Sequence, residues 1–141
     1  MTSSGDRHAV DTSVAVAALD SAHAAHVPCR DAVRTHRPVL AGHAAFEVFS
    51  VLTRMPGLLS VDPFDASALI ARVFPDAVWL APERCAGLLA RLPVLGVTGG
   101  AVYDALVGEA ALANGRVLLT RDHRARRTYD LLGVDYELVG P

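Results

Sequence analysis

The chain has 141 residues, of which 52% are hydrophobic, and its formal net charge is -2. This length and composition predict a single domain over residues 1–141 with a substantial hydrophobic core. No apolar run approaches the roughly 20 residues of a membrane-spanning helix, and the polar start lacks a secretion segment, so we predict a soluble, cytoplasmic protein with no membrane partner. All 13 basic residues are arginine, which excludes a P-loop because its phosphate-binding lysine is missing.

The first half of the chain alternates short apolar runs with longer helical patterns. We predict strands over residues 8–10 and 38–41, and helices over 11–19, 22–35 and 43–55. Pro56 and Gly57 end the last of these helices, because neither residue favours its continuation.

The second half continues this alternation. We predict a helix over 65–73 with Asp65 as its N-cap, and a helix over 101–113 that ends at Asn114 and Gly115. The other predicted elements are strands over 77–80, 117–119 and 136–139 and helices over 82–90 and 124–132. Such alternation favours an α/β domain in which helices cover both faces of a mostly parallel sheet.

Four carboxylates lie where apolar segments meet turns or helices: Asp11, Glu47, Asp104 and Asp122. In parallel sheets, ligands bind at the carboxyl ends of strands near the reversal of strand order, and Asp11 and Asp122 each follow a predicted strand. Gathered carboxylates repel one another, so a fold that gathers them usually binds a divalent cation. Taken singly, Asp11 and Asp122 also fit helix caps, and Glu47 fits solvated helix surface.

Asp104 has no comparably simple interpretation. Aspartate is unfavourable inside a helix, and the surrounding segment 101–107 is otherwise apolar and predicts burial. Burial of a carboxylate without a partner is costly. We therefore expect a cation or a positively charged group beside Asp104.

The contexts of the four acids together resemble a PIN-domain ribonuclease. The matching motifs are Val10-Asp11-Thr12-Ser13, Glu47 in the helix after the second strand, Tyr103-Asp104-Ala105-Leu106 and Leu118-Leu119-Thr120-Arg121-Asp122. The chain length and the last motif most resemble VapC-type toxins of bacterial toxin-antitoxin pairs. The resemblance covers residues 8–139, and it implies a PIN-like three-layer sandwich around the mostly parallel sheet.

The same resemblance implies a metal-dependent endoribonuclease. It makes the four acids the catalytic residues and the ligands of Mg²⁺ or Mn²⁺, and it makes Ser13 and Thr120 hydroxyl groups that orient the carboxylates. Hard oxygen ligands suit these cations, which activate water for attack on phosphorus. We expect hydrolysis of RNA that leaves a 5′-phosphate and a 3′-hydroxyl.

RNA also needs positive surface beside such an acidic site. Arginine and histidine side chains crowd the segment from Arg116 to Arg127, and we assign phosphate contacts to Arg121 and Arg124. Each arginine equally fits a solvated charge at the start of a helix. The single tryptophan, Trp79, follows an apolar run and is interpreted as core rather than as a stacking platform for bases.

The partners implied by the resemblance are an RNA substrate, a cognate antitoxin and a second copy of the chain in a homodimer. Candidates for the protein contacts are Val48, Val51, Leu52, Met55 and the 65–73 helix, although their helical periodicity fits the core equally well. The alternative function is a PIN-like module that binds RNA or a protein without catalysis. The complete set of acids argues against it, because a binding module has no need of metal ligands.

Overall fold

The structure, a computed structural model, describes residues 7–54 and 61–140. The elements in these two ranges are, in chain order, β1 (His8–Val10), α1 (Thr12–Leu19), α2 (His26–His36), β2 (Val39–Ala41), α3 (Ala44–Arg54), α4 (Pro63–Val73), β3 (Ala77–Val78), α5 (Pro82–Leu95), α6 (Ala101–Ala113), β4 (Val117–Thr120), α7 (Arg126–Leu132) and β5 (Tyr136–Leu138). Within the described residues, no helix combines the length and the apolar character that crossing a bilayer requires.

The strands form one sheet in the order β3-β2-β1-β4-β5, and every neighbouring pair is parallel. In the centre of this sheet, Ala9 of β1 pairs with Val39 of β2 and with Leu118 of β4. The strand order therefore reverses between β1 and β4. The predicted α/β fold is confirmed, and the sheet is entirely rather than mostly parallel.

Alternate residues of the central strands contribute to two hydrophobic clusters, because successive strand side chains point to opposite faces. Ala9 and Leu118 belong to a cluster with side chains of α5, α6 and α7. Val10 and Leu119 belong to a second cluster with side chains of α1, α2, α3 and α4. Each cluster fills the space between one face of the sheet and a layer of helices, which confirms the three-layer sandwich.

The α3 residues suggested for protein contacts lie largely in the core. Val48 and Leu52 are buried in the second cluster, so of the two interpretations left open for them, the core is correct and the partner surface is not; their helical spacing reflects packing against the sheet. Val51 is half-buried. Met55 and the predicted helix end at Pro56 and Gly57 lie outside the described residues.

Side-chain caps explain two helix boundaries that the sequence patterns placed wrongly. α4 begins at Pro63, and its N-cap is Asp62 rather than Asp65, because the Asp62 carboxylate accepts a hydrogen bond from the Phe64 amide at 2.9 Å. α2 begins at His26 rather than at residue 22. The preceding amides are used in turns instead, where the Asp20 carboxylate accepts from the Ala22 amide at 3.0 Å.

The other boundary differences lie at element ends. α5 continues beyond residue 90 to Leu95, since Pro93 lies in its last turn and Gly96 ends it with a φ of 70°. α7 begins at Arg126 rather than at residue 124. β3 ends at residue 78, β4 at residue 120 and β5 at residue 138, each within two residues of the prediction.

The strand ends define a carboxyl edge of the sheet. Asp11 follows β1, Gly42 follows β2, Trp79 follows β3 and Arg121 follows β4. Gly42 has a φ of +50°, and an added Cβ atom would lie 3.0 Å from the Cβ atom of Ala110. Glycine therefore permits both this left-handed turn and the close approach of the β2–α3 connection to α6.

The strand starts define an amino edge, which carries a cavity of about 1020 Å³. The charged residues that line this cavity are Arg30, Arg34, Arg37, Arg72, Arg116 and Asp76. Arg116 precedes β4, whereas Arg121 follows it. The arginine-rich segment is thus divided between the two edges, and Arg116 does not lie beside Asp122 as its sequence position suggested.

Candidate active site at the carboxyl edge

Asp11 ends the central strand and is only 4% exposed. Its Oδ1 atom accepts hydrogen bonds from the Ser13 hydroxyl at 2.6 Å and the Val14 amide at 3.3 Å, and its Oδ2 atom accepts from the hydroxyls of Thr120 and, at 3.0 Å, Tyr129. Burial raises the pKa of Asp11, and these donors oppose the rise. Asp11 is the N-cap of α1, so the capping interpretation is correct without removing Asp11 from the site.

The hydroxyls of Ser13 and Thr120 join Asp11 to the loop that follows β4. Ser13 Oγ accepts a hydrogen bond from the Arg121 amide at 2.9 Å, and Thr120 Oγ1 accepts one from the Asp122 amide at 3.1 Å. Each hydroxyl therefore donates to Asp11 and accepts from this loop. The structure brings both hydroxyls into direct contact with Asp11, as an orienting role requires.

Tyr129 of α7 contacts Asp11 directly, and the sequence interpretation missed it. Its side chain is buried, and burial together with the negative charge of Asp11 raises the pKa of the phenol. The hydroxyl therefore stays protonated and donates. A buried tyrosine hydroxyl usually finds a partner, but no sequence pattern connects residue 129 with residue 11.

Glu47 lies on α3 and is half-buried. Burial raises the pKa of Glu47, and the negative charge of Asp11 adds to this rise. Nearby His43 and a hydrogen bond from the Thr12 side chain oppose it. The His43 Nε2 atom lies 3.9 Å from Glu47 Oε1. Glu47 is therefore not ordinary solvated surface, and the Thr12 side chain is a second contact that the sequence interpretation missed.

The pKa of Asp104, on α6, is influenced by all three of the other acids. Its pKa is raised to about 6, first by burial and then by the negative charges of Asp122, Glu47 and Asp11, while Arg124 opposes the rise. The other three acids therefore lie within electrostatic reach of Asp104. Positive charge beside Asp104, which its helical setting predicted, comes from Arg124.

Asp122 turns its carboxylate towards the start of α7. Its Oδ1 atom accepts hydrogen bonds from the amides of Arg124 at 3.0 Å and Ala125 at 3.3 Å. α7 begins at Arg126, and its N-cap is Ala125 without a side-chain cap, so the interpretation of Asp122 as a helix cap was wrong. The bonds of Asp122 instead order the turn that precedes α7. Asp122 still contributes its negative charge to the surroundings of Asp104.

Positive side chains next to Asp122 differ in their freedom to meet a ligand. The Arg124 side chain is 97% exposed, with its Nε atom 4.0 Å from Asp122 Oδ1. Arg121 is half-buried, and its Nε atom has no hydrogen-bond partner within the described residues. A shallow cavity of about 420 Å³ beside them is lined by His123, Arg126, Arg127, Asp130 and Leu131.

The donor chemistry of the four acids fits a hard divalent cation, but their present arrangement is not a finished coordination shell. Across residues 7–54 and 61–140, no three His, Cys, Asp or Glu side chains are placed so that they could hold a metal ion. The four hydrogen bonds to Asp11 also occupy about as many lone-pair positions as a carboxylate offers. Ligation would therefore need a side-chain shift or bridging water, which Mg²⁺ commonly retains.

Glu109 is the most buried acid of α6, and the sequence interpretation did not single it out. It lies 3.5 Å from Arg84 Nη2 and 3.5 Å from Arg91 Nη1, both on α5. Glu109 therefore has its countercharges within the fold. The unusual burial of an acid in α6 is a property of Glu109 more than of Asp104, which is half-buried.

Trp79 is 52% exposed, so its interpretation as a core residue was wrong. The reason lies in the strand order. β3 is an outer strand of the sheet, and the residue after it has a neighbouring strand on one side only. The Trp79 ring instead meets the ring of Phe46 edge-on, with centroids 5.7 Å apart.

Comparison with known proteins agrees with this architecture. A family model described as "PIN domain" matches residues 9–131, which include all four acids. The chain belongs to the PIN-domain family. It is 42% identical over 126 residues to Ribonuclease VapC27 of Mycobacterium tuberculosis (strain ATCC 25618 / H37Rv), a match that covers 89% of this chain and 92% of that protein. It is 44% identical over 133 residues to Ribonuclease VapC40 of Mycobacterium tuberculosis (strain CDC 1551 / Oshkosh), covering 93% and 98%. The resemblance to VapC-type PIN proteins is confirmed.

Proposed function

We propose that this VapC-type PIN protein is an endoribonuclease that hydrolyses RNA phosphodiester bonds and acts as the toxin of a toxin-antitoxin pair. Relatives that are named ribonucleases and match nearly the whole chain support the reaction class. One observation carries the proposal to particular residues: the pKa of Asp104 is raised to about 6 by burial and by the other three acids. This concentration of negative charge lies where strand order reverses, the usual ligand position in a parallel sheet.

We propose Mg²⁺ or Mn²⁺ as the cofactor, with Asp11, Glu47, Asp104 and Asp122 as the residues that hold it. Carboxylate oxygens are the ligands these cations prefer, and a cation would relieve the repulsion that raises the pKa of Asp104. When bound, such an ion acidifies a coordinated water and offsets the charge that develops on the phosphate.

The charged side chains of the candidate site differ in how firmly the fold holds them. Asp11 is fixed by its hydroxyl and amide donors, and Glu47 is held beside it by Thr12. Glu47 and Asp104 are both half-buried, and in the metal-free site Asp104 carries a proton below about pH 6. The exposed Arg124 guanidinium can bind a phosphate through paired N–H groups, which would position the RNA backbone beside the acids.

A PIN-like module that binds RNA or a protein without catalysis is the second candidate. The observation that favours it is the saturated hydrogen bonding of Asp11, together with the lack, in the described part of the chain, of three ligating side chains arranged for a metal. A binding module would keep these contacts unchanged when Mg²⁺ is added. Metal-dependent RNA cleavage therefore separates the two candidates.

We also propose a cognate antitoxin and a second copy of this chain as protein partners, since membership of the VapC-type proteins supports both. With Val48 and Leu52 in the core, other apolar side chains must form these contacts. Across residues 7–54 and 61–140, the most exposed large apolar side chains are Phe64 of α4 and Leu89 and Val94 of α5. Each is more than two-thirds exposed, so burial against a partner would remove substantial apolar surface from water.

The test is RNA cleavage by the purified protein, followed by mapping of the new RNA ends. With Mg²⁺ we expect cuts that carry 5′-phosphates, and Asp104→Asn should lower the cleavage rate by at least about 100-fold, since even indirect partners of metal ligands cost 10- to 100-fold. The matched control is Arg30→Ala, which changes a charge at the amino edge and should leave the rate unchanged. Equal cutting by Asp104→Asn, or by the wild type in EDTA, would refute the proposal.

A further inference from the structure

Four aromatic rings form a continuous row at the carboxyl edge, in the order Tyr103, His43, Phe46 and Trp79. The rings of Tyr103 and His43 are stacked, with centroids 5.2 Å apart and planes inclined by 19°. The centroids of His43 and Phe46 are 6.3 Å apart, and those of Phe46 and Trp79 are 5.7 Å apart. These residues, called the aromatic row below, come from three separate parts of the chain.

The aromatic row is unusually exposed for its size. Phe46 is 64% exposed, Trp79 52% and Tyr103 51%. Single exposed apolar residues are common, but contiguous ones usually mark a binding surface. The backbone of Trp79 is also held in place, because its carbonyl accepts a hydrogen bond from the Asn114 side chain at 3.3 Å.

The aromatic row adjoins the candidate active site. His43 lies 3.9 Å from Glu47, and Tyr103 directly precedes Asp104 in α6. The strand order gives the placement along the edge: Trp79 follows β3, Phe46 lies in the helix after β2, Asp11 follows β1 and the arginine-rich loop follows β4. With about 4.8 Å between neighbouring strands, Asp11 at the end of β1 lies between the rings on one side and the arginine-rich loop on the other.

We propose that the aromatic row is a subsite that stacks against unpaired bases of a single-stranded RNA segment beside the scissile phosphodiester. The inference rests on the RNA hydrolysis proposed above and specifies its substrate class. Negative acids repel phosphates, and the row itself presents no arginine, so it suits bases rather than the RNA backbone. Aromatic rings stack on bases with little sequence preference, whereas a duplex hides the faces of its bases.

This geometry divides the recognition of one strand between two surfaces. Arg124 and the cavity lined by Arg126 and Arg127 would contact phosphates, the acids would face the bond to be cut, and Phe46 and Trp79 would hold the adjoining bases. The subsite would therefore select unpaired loops or ends and exclude continuous double-stranded RNA. Its contribution is to substrate binding rather than to the chemical step.

The sole tryptophan provides a direct measurement. The Asp104→Asn protein in EDTA, chosen to prevent cleavage, is titrated with a single-stranded RNA oligonucleotide while Trp79 fluorescence is recorded. We expect saturable quenching by the single strand and no comparable quenching by a fully paired duplex of the same sequence. Phe46→Ala should weaken single-strand binding by roughly 5- to 150-fold, the range for loss of one stacked base, and Phe46→Tyr should restore it.

The control is Val27→Ala, which trims an exposed apolar side chain that lies on α2, outside the row, and should leave RNA affinity unchanged. In cleavage assays of the otherwise wild-type protein, Phe46→Ala should raise KM with little change in kcat. Circular dichroism of each variant checks folding, and the Phe46→Tyr rescue excludes a purely structural effect.

Three outcomes would overturn the inference: quenching by duplex equal to that by single strand, unchanged RNA affinity in Phe46→Ala, or quenching only when sedimentation shows a change in oligomeric state. The last result would make the aromatic row a contact between copies of the chain. The proposed function fails separately, if Asp104→Asn still cuts RNA at the wild-type rate. If the wild-type protein cleaves RNA as proposed but Phe46→Ala binds RNA with unchanged affinity, only the inference about the aromatic row fails.

Discussion

The carboxyl and amino edges of the same five-stranded sheet differ in charge: four acids gather beside an arginine-rich loop at the carboxyl edge, whereas arginines predominate at the amino edge. At the carboxyl edge, Asp104 has its pKa raised to about 6, with three other carboxylates contributing. At the amino edge, five arginines and one aspartate line a cavity of about 1020 Å³. A net charge of only -2 therefore conceals a local cluster of acids, and this cluster, rather than the sum of charges, determines which edge attracts a cation.

The two edges also differ in how their charges are held. Asp11 accepts hydrogen bonds from four protein donors and is buried, whereas Arg34, Arg37 and Arg72 at the amino edge are exposed. Preorganised polar groups in a water-poor setting act more strongly than flexible surface charges. We therefore expect substitutions at the carboxyl edge to affect catalysis and matched substitutions at the amino edge to leave it intact.

The largest expected effect is the loss of RNA cleavage in Asp11→Asn, a change at the carboxyl edge. Its counterpart at the amino edge is Arg34→Ala. Loss of the Asp11 charge removes a proposed ligand, so kcat/KM for an RNA oligonucleotide should fall by at least about 100-fold. Arg34→Ala should stay within about twofold, since surface charges act weakly at a distance. A comparable loss in Arg34→Ala would make the amino edge part of the active site.

The next largest effect is a fall in kcat, tested at two tyrosines, Tyr129 and Tyr136, whose ring centroids lie 5.8 Å apart. Tyr129→Phe removes the hydroxyl that donates to Asp11 and should lower kcat by about 10- to 100-fold, the usual cost of losing a group that orients a ligand. Tyr136→Phe removes a hydroxyl that donates to Asp130 at 2.8 Å, on the surface, and should have little effect. Weakened Mg²⁺ binding in Tyr129→Phe, measured by calorimetry, would identify orientation as the cause.

A third prediction concerns stability at two glycines with left-handed backbone. Gly115, near the amino edge, has a φ of +67° and open space around it, whereas an added Cβ atom at Gly42 meets Ala110 at 3.0 Å. Gly115→Ala should lower the free energy of unfolding by about 1 kcal/mol through backbone strain. Gly42→Ala should lower it by about 2 kcal/mol, because overpacking adds to that strain. Urea unfolding measures the loss of stability in each variant. Equal losses would show that α6 shifts at little cost to make room for the added Cβ atom at residue 42.

The smallest effect is a pH dependence in the metal-free protein. The pKa of Asp104 is about 6 when folded and about 3.9 when unfolded, so the folded state binds the proton more tightly. This group therefore makes the protein less stable as pH rises from about 4 to about 6. In EDTA, Asp104→Asn should melt a few degrees above the wild type at pH 7, since solvent screens this half-buried group and reduces the full effect of the shift, and level with it at about pH 4. Glu137→Gln, at an exposed strand position, is the control.

Local patterns were sufficient to predict the fold and most of its elements. Ala9 and Val10 belong to a short apolar strand between turns, and α6 has the length and composition of a stable helix. The wrong boundaries arose where a side chain competed with the helical pattern for backbone amides, as Asp20 does before α2 and Asp62 does before α4. Such competition depends on local geometry that hydrophobic periodicity does not report.

The candidate site was predictable where its residues lie in short motifs. Asp11 with Ser13, and Thr120 with Asp122, occur together in sequence, and the structure places them in contact. Tyr129 was missed because its relation to Asp11 depends on packing between residues 118 positions apart. The exposure of Trp79 was missed for a similar reason, since it depends on β3 lying at the border of the sheet, which is a matter of strand order.

The hydrogen bonds of Asp11 span almost the entire chain, because two of its donors lie 109 and 118 positions further on. During synthesis, a ribosome-bound fragment that ends before Thr120 has neither of these hydroxyls to receive the buried carboxylate. Nuclease activity would therefore arise only when translation is nearly complete. Proteolytic removal of the last helix and strand would take away the Tyr129 hydroxyl that Asp11 accepts from, and it should therefore silence the protein.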